Sequence, residues 1–128
     1  MAELGPVNGI LIYTQRLEPM LHFYRGVLGL EPRHIKERTI NFQWGEFKLT
    51  IGLHDEVLGA NTDPLRHMVN FAVDDIHAAH ARLAAAGVTF TREPGQEPWG
   101  GWVATFSDPD GNTLQLLQLP RRAETDGA

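Results

Sequence analysis

An internal repeat limits the folds open to this chain more than any other feature. The segment Gly9–Thr14 carries a strand signal in Ile10, Leu11, Ile12 and Tyr13. Leu17, Met20, Leu21, Tyr24 and Leu28 then recur at helical spacing, with Pro19 in the first turn and Gly29 as the stop. Residues 30–34 leave the helix in extended form, because Pro32 pushes its predecessor out of the α region. Ile40, Phe42 and Trp44 alternate with polar neighbours, as do Phe47, Leu49, Ile51 and Leu53 beyond Gly45-Glu46, which predicts a hairpin with one packed face. After a polar connection the order returns. A strand over 68–73 is followed by an acidic helix start at Asp74-Asp75 and an apolar stripe of Ile76, Ala79, Leu83 and Ala86 that Gly87 ends. Three strands follow, over 88–91, 102–106 and 113–119, the last reached through the turn 108–112.

Each half thus reads strand, helix, glycine stop, three strands, and neither can bury its sheet face alone. The predicted fold is α+β: two tandem βαβββ modules forming a curved mixed sheet, helices outside and a concave ligand cavity inside. A chain of 128 residues suits one such domain over 1–128. Its parts are module one over about 8–55, a linker over about 56–66, module two over about 67–119 and a flexible tail over 120–128.

Strand alternation then assigns faces. Ile10, Ile12, Leu49, Ile51, Val69, Phe71, Val73, Leu114 and Leu116 suit the helix-covered side. Gly9, Leu11 and Tyr13, Lys48 and Thr50, Met68, Asn70 and Ala72, and Thr113, Gln115 and Leu117 are left for the cavity side. That lining is mixed and mostly neutral, which fits a pocket better than a dry core.

Composition narrows the function. Eleven Lys and Arg against sixteen Asp and Glu give a net charge of −5, so no broad attraction to nucleic acid is expected. The local basic excess, Arg33, His34, Lys36 and Arg38, is diluted by Glu31 and Glu37. No membrane-length apolar run and no export signal is present, and there is no cysteine, so a soluble cytoplasmic protein is expected. Catalytic triads, phosphate loops and zinc-spaced Cys/His clusters are missing; Gly100-Gly101 lacks the strand-to-helix context of a phosphate loop. Asp74-Asp75 and Asp108 with Asp110 read as helix-start and turn residues rather than acid-base pairs.

Two segments, His22-Phe23-Tyr24-Arg25-Gly26-Val27-Leu28-Gly29-Leu30 and Asp108-Pro109-Asp110-Gly111-Asn112-Thr113-Leu114-Gln115-Leu116, resemble the vicinal oxygen chelate superfamily of glyoxalases, bleomycin-resistance proteins and extradiol dioxygenases. The segment Met68-Val69-Asn70-Phe71-Ala72-Val73-Asp74-Asp75-Ile76 resembles its middle strand and second helix. Carried over residue by residue, the resemblance puts the family's metal-ligand positions on Gly9, Thr50, Met68 and Gln115. Glycine offers no side chain, methionine is soft, and a hydroxyl and a neutral amide are poor supports for a hard divalent ion. The expectation is therefore no metal ligands and no cofactor. His67, beside Met68, would need a bulge to turn inward; His22, His77 and His80 read as solvated helix residues, and His34 and His54 as strand-end or loop residues.

The leading reading is a metal-free small-molecule binding protein that resembles bleomycin-resistance-type sequestration proteins. Its expected ligand-binding residues are Leu11, Tyr13, Thr50, Met68, Asn70, Trp99, Trp102 and Gln115, with no catalytic residue assigned. Trp99 and Trp102 bracket Gly100-Gly101, a loop that could move flat apolar faces over a planar or cationic ligand, or else pack at a dimer interface or sheet edge. A homodimer is expected, since sheet edges need covering. The alternative is an enzyme of the superfamily, a lyase, isomerase or dioxygenase. It would use an atypical metal site recruiting His67 with Glu46 or His54, or metal-free acid-base catalysis by Tyr13, His34 or Glu46. A structural or regulatory interaction module, its cavity filled by its own side chains, is the third class.

Overall fold

A computed structural model describes residues 3–120, and the chain divides into two compact units, Met1–Ala60 and Asn61–Ala128. The first unit runs β1 (Gly9–Thr14), α1 (Leu17–Leu21) continued by a π-helical segment (His22–Val27), β2 (His34–Ile35), β3 (Thr39–Trp44) and β4 (Phe47–Leu53). The second runs β5 (Met68–Ala72), α2 (Ile76–Ala85), β6 (Phe90–Gln96), β7 (Trp102–Ser107) and β8 (Thr113–Gln118). Both are βαβββ modules, and the fold class is the α+β one the repeat predicts. The tail expected over 120–128 lies, apart from Pro120, outside the described residues.

In module one the strands lie in the order β1-β4-β3-β2, with β1 parallel to β4 and the other pairs antiparallel. The register sets Ile10 beside Leu49, Ile12 beside Ile51, and Ile40 and Phe42 beside Ile51 and Leu49. Those β3 and β4 side chains are buried, as are Met20 and Tyr24 from the helical segment. This apolar layer between sheet and helix is the core that the alternation predicts.

The helix itself departs from expectation. Instead of one α-helix over 17–28, the chain makes a short α turn and then widens, the Leu28 N–H donating to the Phe23 carbonyl five residues back at 2.8 Å. Gly26 sits inside the widened stretch, where a Cβ would stand 3.4 Å from the His22 imidazole. The α and π periods differ too little over so few residues for the apolar stripe to separate them. Gly29 then stops the helix with φ 81°, as its place after Leu28 predicts.

Module two repeats the order, β5-β8-β7-β6, with β5 parallel to β8. Phe106, Leu114 and Ala104 form its buried layer, with Ile76 and Leu83 of α2. Asp75 caps α2, its carboxylate accepting from the His77 and Ala78 amides at 3.1 Å each. The Gln118 side chain accepts from the Ile76 N–H at 2.8 Å, which ties β8 to the helix start. At the β7–β8 turn Asp108 is buried and accepts from the amides of Asp110 and Asn112 and from the Asn112 side chain. Of the acidic residues singled out in the sequence, Asp75 and Asp108 are therefore structural.

One strand was only partly legible. β6 begins two residues after the expected 88 and runs through Pro94 and Gly95 to Gln96, with register shifts against β7. A proline inside a strand is tolerable here because β6 is the edge of its sheet.

Candidate functional site

The sheet face that the helix does not cover brings polar and exposed side chains of module one together. From β1 it presents Leu11 and Tyr13, respectively 59% and 44% exposed. The register sets Leu11 against Thr50, Tyr13 against Gly52 and Gly9 against Lys48, and on the other side Asn41 against Thr50 and Gln43 against Lys48. The absence of a side chain at Gly52 leaves room for the Tyr13 ring, 3.5 Å from where a Cβ would be. That ring meets His54 edge-on, centroids 4.9 Å apart, and the His54 Nδ1 accepts the Glu56 N–H at 3.1 Å. A neutral His54 therefore carries its proton on Nε2.

At the opposite end of the same strands lies a cleft of about 430 Å³. Its walls include Gly9, Leu11, Gln43, Glu46, Lys48 and Thr50. Gly9 makes the floor possible, since a Cβ there would stand 3.0 Å from the Lys48 carbonyl. The Thr50 hydroxyl is engaged by the Asn41 amide at 2.8 Å.

The uncovered face of module two carries Met68, Asn70 and Ala72 of β5, with Asn70 beside Gln115 of β8. The Gln115 amide donates to the Asn70 side-chain oxygen at 2.9 Å, so these two predicted residues are neighbours joined by one hydrogen bond. Met68 is 45% exposed at the start of β5. His67 is exposed and stands one residue before that strand. A second cleft of about 360 Å³ lies at the far end of β5 and β8, between Ala72, Asp74, Leu117 and Leu119.

The two tryptophans do not behave as a pair. Trp102 lies edge-on to His77 of α2 with centroids 5.0 Å apart, and it pairs in register with Gln118, whose side chain binds the start of that helix. It is therefore on the helix-covered side of the sheet, not the side expected for ligand contact. Trp99 is 53% exposed and lies across Gly101, where any Cβ would overlap its ring. The intervening loop is pinned rather than free: the Gly100 N–H donates to the Glu97 carbonyl at 2.8 Å and the Glu97 N–H to the Gly101 carbonyl at 2.7 Å.

The histidines of α2 also differ from expectation. His77 lies against Trp102 and His80 against Phe90, centroids 5.0 and 4.5 Å apart, so each ring meets an aromatic neighbour, although His77 stays exposed and His80 is half-buried. Sequence reasoning missed these contacts, although the alternation back from the core residue Phe106 through Ala104 to Trp102 carries the signal.

Comparison with known proteins agrees with this architecture. The glyoxalase/bleomycin resistance protein/dioxygenase superfamily model matches residues 7–116. The chain belongs to that superfamily. A Mycobacterium bovis protein, CFP32, whose name calls it a glyoxylase, is 32% identical over 127 residues, covering 91% of this chain and 47% of its own length. The chain thus spans about half of that relative. A Vibrio cholerae protein named "Probable lactoylglutathione lyase" is 30% identical, covering 80% of this chain and 82% of its own length. The crystal structure of a superfamily member from Sphaerobacter thermophilus superposes with a TM-score of 0.71 at 25% identity, covering 92% of this chain and all of the other, 100%.

Superfamily metalloenzymes raise the question whether a divalent ion fits here. Within module one the two matching positions are Gly9, with no side chain, and Thr50, whose hydroxyl is already bonded to Asn41. Within module two they are the thioether of Met68 and the neutral amide of Gln115, whose NH2 donates to the Asn70 side-chain oxygen. Among the described residues, no three His, Asp or Glu side chains stand close enough together to hold a metal. This donor set does not fit a hard divalent ion. No described helix is long and apolar enough to cross a membrane.

Proposed function

We propose that the chain is a small-molecule binding protein that holds its ligand without a resident metal ion, in the manner of bleomycin-resistance-type sequestration. The observation that carries this reading is the donor set at Gly9, Thr50, Met68 and Gln115, which offers no side chain, a neutral hydroxyl, a thioether and a neutral amide, and no carboxylate or imidazole. Each module by itself offers an uncovered sheet face to a ligand, Leu11, Tyr13 and Thr50 in module one and Met68, Asn70 and Gln115 in module two. Trp99, exposed at the end of its turn, supports contact with a planar group. The edge strands β1 and β5 support a homodimer, since unpaired strand edges invite cover. A cysteine-free chain suits a reducing compartment, so the proposal places it in the cytoplasm.

The names of the relatives favour a second reading, an enzyme. In its metal-free form the oriented imidazole of His54, held against Tyr13, is the best-placed acid-base group.

A small-molecule library screened against the protein in chelator separates these readings. Sequestration predicts ligands that raise the melting temperature in chelator and are recovered chemically unchanged. Stabilisation that chelator abolishes, or recovery of an altered compound, would overturn it.

A further inference from the structure

The module-one cleft holds two opposite charges that nothing nearby neutralises. Lys48 and Glu46 both line it, and neither forms an ion pair with the other or with any other described residue. Arg38 pairs with Asp55, Arg66 with Asp63 and Arg92 with Glu97, whereas Lys48 and Glu46, like other exposed charges such as Lys36 and Glu93, form no ion pair among the described residues; what sets these two apart is that both line one cleft. Lys48 and Glu46 are also held in place at the backbone. Lys48 lies within β4, its N–H donating to the Asn8 carbonyl at 3.0 Å, and Glu46 completes the two-residue turn between β3 and β4.

The rest of the cleft defines what would join these charges. Gln43 donates one N–H to the Gly45 carbonyl at 2.9 Å, which leaves its amide oxygen to accept from an ammonium N–H. The exposed Leu11 side chain supplies an apolar wall. A volume of about 430 Å³ admits a ligand of small-metabolite size. Gly9 also lines the cleft, and a Cβ there would stand 3.0 Å from the Lys48 carbonyl oxygen.

We infer that this cleft binds a small zwitterion of the α-amino-acid type, its carboxylate on Lys48, its ammonium on Glu46 and the Gln43 oxygen, and its apolar side chain along Leu11. This deepens the small-molecule reading by naming a ligand class, and it rests on that reading. A ligand with both charges satisfies both side chains at once, whereas a simple anion or cation leaves one partner of the pair facing a like or unmatched charge.

The test uses the full chain labelled with nitrogen-15, titrated with L-phenylalanine, with 3-phenylpropanoate, which lacks the ammonium, and with phenethylamine, which lacks the carboxylate. L-Phenylalanine shifts the amide signals of Gly9, Gln43 and Lys48 saturably, and each of the other two binds at least about tenfold more weakly. Lys48→Gln weakens L-phenylalanine and phenylpropanoate but leaves phenethylamine unchanged; Glu46→Gln does the reverse. Both positions are exposed, so spectra elsewhere stay superimposable with the parent. No shift at these amides with any of the three compounds overturns the inference, as does binding of L-phenylalanine that neither substitution alters. The same titration repeated in chelator separates the two claims. Binding that needs metal defeats the metal-free reading, while metal-independent binding insensitive to Lys48 and Glu46 defeats only the assignment of ligand class.

Discussion

The two modules share a plan but spend their polar side chains differently. Module two turns them inward on its own backbone. Asp75 caps α2, Gln118 ties the last strand to the same helix end, and Asp108 organises the turn before β8. Module one has no side-chain cap on its helix, which widens into a π segment, and it leaves Lys48 and Glu46 unmatched at its cleft. The apolar layer is thus present in both halves, while the helix start is capped by a side chain in module two and by none in module one. Buried polar groups must be satisfied, but exposed ones need not be, so only the surface of a repeat is free to diverge in this way.

Substitutions in the two halves sharpen or break that contrast. The largest expected effect is the shared one: Phe42→Ala in module one and Phe106→Ala in module two each create a cavity beneath a helix. Each should cost about 3–5 kcal/mol in urea denaturation. A loss confined to one half would mean the layers are not equivalent. Next comes Asp108→Ala, which removes a buried acceptor of three N–H groups and should cost about 3 kcal/mol. A loss under about 0.5 kcal/mol would remove the distinction drawn for module two. Asp75→Ala should cost about 1 kcal/mol, seen as lower amide-exchange protection in the first turn of α2. Smallest is Lys48→Gln, expected to change stability by less than about 0.5 kcal/mol because the side chain has no recorded ion-pair partner. A larger loss there would show that module one also spends its charge on folding.

How much of this was visible in the sequence follows from what each element depends on. β1 and the β3–β4 hairpin could be read because one packed face imposes strict alternation, and α2 because Asp75 and Gly87 mark its ends. The continuation of β6 through Pro94 could not, because local residue preferences say nothing about whether a strand will be an edge. At the site, alternation put Leu11, Tyr13, Thr50, Asn70 and Gln115 on the uncovered faces, and the register agrees. The contact of Trp102 with His77 follows its phase relative to Phe106, which proximity to Gly100-Gly101 does not reveal. The unmatched state of Lys48 and Glu46 has no sequence signature at all, since it depends on which side chains the register brings within reach.

The central claim is that this superfamily fold lacks a functioning metal site at the four positions where its resemblance would put one. The most direct test is residue-resolved: amide spectra of the full chain recorded as Mn²⁺ is added, with paramagnetic broadening read at every signal. The account predicts that Gly9, Thr50, Met68 and Gln115 broaden no sooner than exposed carboxylate-bearing segments such as Asp55-Glu56. Selective loss by one equivalent of the Gly9 and Thr50 signals, or of the Met68 and Gln115 signals in a manner that Gln115→Ala reverses, would contradict it.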